Sequence, residues 1–498
     1  AIGDSALDAV TSGGNNVAVG DNSLGANTTA DHNTAVGALS AQATTTGEYN
    51  TAVGSAALYT NSTGNNNTAI GYRALVTNAA SGNTSVGEKS MEANTTGAGN
   101  VAMGNSALVD NTTASNNVAL GSSAMFTNTT GADNTAVGTA ALYANTTAAD
   151  NVAVGFYSLV ANDTGHSNVA VGAHALDANT SGAANTGIGH NSLGANTTAN
   201  NNTAVGAYSL EDNTTGTSNT AVGAGALKNN TTASQNTAVG IDALEANTTG
   251  AANTAFGFEA LHANSTAPNN TGLGWRALYA NTTGTENTAV GVSVLDALTT
   301  ASNNTGIGYD ALSANQTGEG NTSVGSHSLQ ANTGAGYNTA VGHNALKVSS
   351  TGNSNTAVGQ GAGDAVTTAS NNVLVGNDAG GSLTTGHSNA IVGKDALGQC
   401  TDGEQHAALG FKALTAVTTG HLNVGIGSYA GAGLTTASSN VHVGPYAGQN
   451  ITTGTSNTTL GYYALRNVSS GVSQNVAIGT QALYDCTANN NVAVGYNA

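Results

Sequence analysis

The groups able to do acid–base, nucleophilic or metal chemistry are 11 histidines, two cysteines, 27 carboxylates and many hydroxyls. A metal site needs several of these converging on one ion. His166, His387 and His421 share one register of the repeat described below, but His387 and His421 lie two repeats apart. Stacked repeats would separate them by about 10 Å, too far for one ion. Glu211, Asp212, Glu245 and Glu259 fall at varied registers, as on a solvated face, and no carboxylate pair recurs for general acid–base work. The calcium-binding pattern Gly-Gly-x-Gly-x-Asp is absent. Hydroxyls are plentiful but have no companion base. Cys400 and Cys486 share a register about five repeats apart, or roughly 24 Å in a stack. A disulfide needs Cα atoms within about 7 Å, so each is read as a small buried hydrophobe, with an interchain bond as the alternative. No catalytic, cofactor-binding or metal residue is assigned, and no enzyme is expected.

What positions these groups is a repeat. Asn202-Thr203-Ala204-Val205-Gly206 recurs with Asn219, Asn236, Asn253, Asn270 and Asn287 at its head, every 17 residues. Its glycine runs from Gly3 through Gly206, Gly223 and Gly240 to Gly495, with three intervals that depart from 17: Gly71 to Gly87, Gly461 to Gly479 and Gly479 to Gly495. The leading Asn is replaced once, by His406. Counting from that Asn, positions 1–5 read Asn, Thr/Val, Ala, Val/Ile/Leu, Gly; positions 8–9 are usually Ala-Leu, and 12–15 usually Asn-Thr-Thr-Gly/Ala. Positions 1–4 alternate and are rich in β-branched residues, so a short strand is expected. Asn-Thr-Thr-Gly is expected to turn.

One repeat offers two large apolar groups, such as Val205 and Leu210 or Val222 in the next. Burying each gains roughly 1.5–3 kcal/mol, whereas ordering each backbone residue costs roughly 1–2 kcal/mol. A lone coil cannot fold. Stacking at about 4.8 Å supplies inter-coil hydrogen bonds, Asn ladders and a shared core. The expectation is an all-β, parallel β-solenoid (β-roll or β-helix) of about 29 coils, one continuous domain over 1–498, about 140 Å long. Alternation of Gly and Ala at position 15, from Ala233 to Gly318, raises the alternative of 34 residues per turn. Where position 9 is Gly (Gly363, Gly380, Gly431, Gly448), position 12 is apolar (Val366, Leu383, Leu434, Ile451). Positions 9 and 12 should therefore share one volume, with a changed cross-section at about 355–451. The chain opens inside a repeat and stops just after one, so a fragment of a longer polypeptide, or a mature form whose ends lie elsewhere, is expected.

Charged residues are 7% of the chain and the net charge is −19. That disfavours nucleic acid and anionic lipid, and no apolar run is long enough to span a membrane.

Asn151-Val152-Ala153-Val154-Gly155 and Asn475-Val476-Ala477-Ile478-Gly479 resemble the pentad of trimeric autotransporter adhesin heads. The longer string, Asn-Thr-Ala-Val-Gly with Ala-Leu and Asn-Thr-Thr-Gly, resembles repeats of phage tail-fibre-like and bacterial surface proteins that often end in an endosialidase-type chaperone. The resemblance implies a left-handed, trimeric solenoid and an extracellular, cell-surface or virion setting. A trimer would carry three times −19, or −57, charges, and would need a contact face low in charge. The small position 3 (Ala204, Ser85, Gly272) allows close approach within a coil or at a threefold axis.

The function expected is a fibre shaft or adhesin that spaces or presents attachment to a surface. The alternatives are a filament subunit stacking end to end and an ice-binding solenoid built on Thr pairs such as Thr214-Thr215. Tyr59, Tyr143, Tyr279 and Tyr484 share position 10 and are candidates for contact with a carbohydrate or cell-surface receptor, or shields for the Leu at position 9. Asn-Thr-Thr also matches the N-glycosylation sequon, against Asn as a ladder residue.

Overall fold

The computed structural model describes residues 1–468 and 470–498. A three-residue strand follows each leading Asn, and 29 such strands occur among the described residues. The chain divides into two compact units, Ala1–Ala251 and Ala252–Ala498. The first holds β1 (Val17–Val19) to β14 (Thr237–Val239), and the second β15 (Thr254–Phe256) to β29 (Val492–Val494). Within each unit every strand pairs in parallel with the next in sequence. In the first, β12 (Thr203–Val205) meets β13 (Thr220–Val222) with Thr203 opposite Thr220 and Val205 opposite Val222. In the second, Thr271 stands opposite Thr288 in the same way. One turn is thus one 17-residue repeat, and the 34-residue turn is ruled out. The three irregular intervals leave strand register intact: Thr68 still meets Thr84, Thr458 meets Val476, and Val476 meets Val492. The odd residue is absorbed in the turns.

Stacking extends beyond the strand. Leu210 donates its N–H to Ala226 O (3.0 Å), Thr214 to Thr231 O (2.9 Å), and Tyr208 to His190 O (2.9 Å). The Asn-Thr-Thr-Gly segment is therefore a corner that is itself laddered, which satisfies backbone groups that an isolated turn would leave to water.

Positions 1, 3, 8, 9, 12 and 15 are buried in a representative coil: Asn202, Ala204, Ser209, Leu210, Asn213 and Gly216. This corrects one expectation. Val205 is only half-buried and Val222 is 37% exposed, so neither is core. Side chains alternate along a strand, and burial of the leading Asn fixes the phase. Positions 1 and 3 point in, and 2 and 4 point out. The single large apolar group buried in most coils is the Leu at position 9. The small position 3 is fully buried inside the coil, as at Ala204 and Ser85, so it makes no threefold contact.

Two kinds of position require unusual backbone. Gly206 has φ of +134°, and a Cβ there would lie 2.5 Å from the Gly223 carbonyl oxygen of the next coil. Positions 7, 9 and 17 adopt left-handed geometry without Gly: Tyr208, Leu210 and Ser218 have φ of 59°, 50° and 59°. Val, Ile and Thr are strongly disfavoured there. All three are missing from these positions throughout the chain, although position 9 is apolar nearly everywhere.

Candidate functional site

The arrangement starts from the buried amides. Asn202 Oδ1 accepts the backbone N–H of Asn219 (2.9 Å), and Asn202 Nδ2 donates to Gly216 O (2.9 Å). Asn219 does the same for Asn236 (3.0 Å). At position 12, Asn213 Nδ2 donates to Asn196 Oδ1 (3.0 Å) and to Gly216 O (3.0 Å). Two amides in each such coil therefore converge on one position-15 carbonyl, and each amide also reaches a neighbouring coil. An unpaired buried amide costs roughly 1–3 kcal/mol per orphaned group, so a coil depends on its neighbours for polar satisfaction as well as for packing. Full burial and full hydrogen bonding of Asn213 favour the ladder reading of Asn-Thr-Thr over a glycan site at position 12.

Further ladders use the turns. Position-13 hydroxyls donate to the next coil, as Thr214 Oγ1 to Thr231 O (3.0 Å). Position-16 side chains accept from the preceding coil: Ser370 N–H donates to His387 Nδ1 (2.9 Å), and Glu404 N–H to His421 Nδ1 (3.1 Å). These histidines brace backbone.

His406 shows how strict the first ladder is. Its Nδ1 accepts Asn423 N–H (3.2 Å) and its Nε2 donates to Gly420 O (2.6 Å), reproducing both functions of the missing amide. Burial lowers its pKa to about 4. His442, at position 3, is fully buried, bonds Thr459 Oγ1 through Nδ1 (2.8 Å), and is likewise lowered to about 4 by burial. Cys400 is buried, accepts Gly403 N–H (3.2 Å), and its thiol is raised to about 11 by desolvation. Cys486 is half-buried, and both thiols are free. Among the described residues no cluster of three His, Cys, Asp or Glu side chains could hold a metal ion.

The predicted surface tyrosines are half-buried and engaged. Tyr143 stacks on Phe126 (5.1 Å between centroids), and Tyr279 carries Arg276 over its ring at 3.9 Å. Tyr484 meets Tyr463 edge-on (6.3 Å), and Tyr59 lines a shallow recess with Tyr72 and Arg73. Longer aromatic tracks follow positions 6–7. One runs Tyr157, His174, His190, Tyr208 in the first unit; the other runs Phe411, Tyr429, Tyr446, Tyr463 in the second.

The feature that sequence reading missed is the outward strand face. Position 4, assigned to the core, faces solvent and is apolar in all 29 strands; position 2 is Thr, Val or Ala in all of them. None of the 35 charged residues (27 acidic plus 8 basic) falls at positions 1–5. That vacancy of charge covers both faces of the strand alike, so by itself it does not say which one is outward. In the second unit the face broadens over β15 to β18 (Thr305–Ile307) by way of β16 (Thr271–Leu273) and β17 (Thr288–Val290). Phe256 (58% exposed), Leu273 and Ile307 form one row; Phe258, Trp275 and Tyr309 at position 6 form a second beside it. The charges at the adjoining corner, Glu259 and Arg276, pair with each other at 3.4 Å.

Pairing, register and ladders together define a parallel β-solenoid repeat protein. No family model matches the chain, and no curated protein is returned as its relative.

Proposed function

We propose that the chain is structural: the shaft of an extracellular, cell-surface or virion fibre, homotrimeric, that spaces or presents an attachment function. The observation that carries this reading is the sharing of buried amides between neighbouring coils, as Asn202 with Asn219 and Asn213 with Asn196. Such a chain gains order only by repetition, and repetition gives reach, stiffness and resistance to proteolysis. The free faces of the aromatic tracks at positions 6–7 suit a carbohydrate or cell-surface receptor. The resemblance of the pentad to adhesin heads and tail-fibre repeats adds the trimer, the left hand and the setting. No catalytic role is proposed.

Ice binding draws less support, because the position-13 hydroxyls of the Thr pairs donate along the stack. Electron microscopy with light scattering tests the fibre reading. Rods of one fixed length near the expected 140 Å or so, with a mass three times 48.2 kDa, support it. A monomer overturns the trimer, and filaments of unlimited length favour an end-to-end polymer.

A further inference from the structure

We infer that the outward strand face of the second unit is a self-association surface whose occupant is the same face of another copy of this chain, centred on Phe256, Leu273, Trp275, Ile307 and Tyr309. The inference rests on the homo-oligomeric reading above but departs from its trimer, because two copies that pair the same face close as a dimer.

Three observations carry it. The first is charge. Copies that each bear −19 repel one another, and only a face free of acidic residues lets them approach. Positions 2 and 4 supply such a face in every coil; at the adjoining position 7, Glu259 and Arg276 pair with each other, and Asp310 lies 3.8 Å from His327. The second is shape. In-register parallel strands carry one apolar side chain per coil, a straight row at about 4.8 Å spacing. Two such rows are self-complementary, because ridges of one fit between ridges of the other at the usual sheet-to-sheet distance of about 10 Å. The third is area. Fifteen strands of three residues span about 67 Å by about 10 Å. Pairing two faces would cover about 700 Å² per copy, or about 1,400 Å² in all, within the range of specific interfaces. A wide aromatic patch near one end supplies the anchors that dominate binding, and large unpartnered apolar patches on soluble chains mark interaction sites.

The test uses the full chain. Sedimentation velocity of the wild type should give twice 48.2 kDa, and a mass three times 48.2 kDa would support the trimer and overturn the paired face. Leu273→Lys with Ile307→Lys places charge on the outward rows and should yield monomer, with assembly weakened at least tenfold. Thr283→Lys with Thr317→Lys adds the same charge to the same coils at exposed turn positions and should leave the mass unchanged. Circular dichroism checks the fold of each variant. Trp275 is the chain's one tryptophan and is 45% exposed, so it gives a readout that needs no mutation. Its quenching by acrylamide should fall as protein concentration rises through assembly. An oligomeric wild type whose strand-face variant keeps its mass, or whose Trp275 stays equally quenchable, overturns this surface and leaves the fibre reading intact. A monomeric wild type overturns both. A monomer that co-sediments with phosphatidylcholine vesicles through Trp275 assigns the face to lipid and overturns the inference.

Discussion

Coils of the first unit such as 202–218 and coils of the second such as 355–371 fill the same interior in different ways. In the first, position 9 is Leu210, position 12 is Asn213, and position 3 of the next coil is Ala221, all fully buried. In the second, position 9 is Gly363, position 12 is Val366, and the next position 3 is Leu374. A Cβ on Gly363 would strike Leu374 and come within 3.2 Å of Val366 Cγ2, so the vacated leucine volume is filled from two sides. Gly380 is filled likewise by Leu383 and Ile391, and Gly431 by Leu434 and His442. The reverse case also occurs. Where Leu295 and Leu298, or Leu414 and Val417, are both buried, the next position 3 is Gly306 or Gly425. In these coils the summed volume of the three positions is nearly conserved, as close packing requires. The expected link between positions 9 and 12 holds, and position 3 is its third member.

The largest effect should come from a residue both regions share. Gly206→Ala places a Cβ against the Gly223 carbonyl at a φ hostile to side chains, and should cost more than about 4 kcal/mol, read as a lost unfolding transition in urea. Leu210→Gly empties the core of one coil and should cost at least the roughly 2–5 kcal/mol of a leucine truncation. Adding Asn213→Val and Ala221→Leu copies the second region, and a favourable coupling of about 1–3 kcal/mol is expected from the mutant cycle. No coupling would show that the three volumes are independent.

Acid should separate the regions next. His406 and His442 have folded pKa values of about 4 against about 6.5 when unfolded, so the unfolded state takes up protons first. Their contribution is complete above about pH 6.5 and is lost as pH falls towards about 4, roughly 3 kcal/mol apiece. Hydrogen exchange at pH 4.5 should therefore accelerate around residues 400–460 but not around 186–240, and His406→Asn with His442→Leu should abolish the contrast. Asn213→Ala orphans Asn196 Oδ1 and takes one acceptor from Asn230 Nδ2, at roughly 1–3 kcal/mol for the oxygen. The smallest effect is chemical. At pH 8, Cys486 should react with a thiol reagent at least tenfold faster than Cys400, whose thiol is buried and held protonated.

The 17-residue turn, the parallel stack, the ladder Asn and the exchange between positions 9 and 12 were legible in the sequence, because a stacked repeat makes each constraint recur at one spacing. The left-handed positions 7, 9 and 17 were legible too, in the absence of Val, Ile and Thr, though that signal is a vacancy and easily passed over. Which strand face looks inward was not. Local alternation is symmetric, and the usual assumption that apolar residues go inside gave Val205 to the core. Only the tertiary structure decided otherwise. Two asparagines can be buried because neighbouring coils complete their hydrogen bonds, and once Asn202 and Ala204 turn inward the pleat sends Thr203 and Val205 to the surface. The sequence by itself determined that the coils stack; the hydrogen-bond closure between coils determined which side of the stack meets the world.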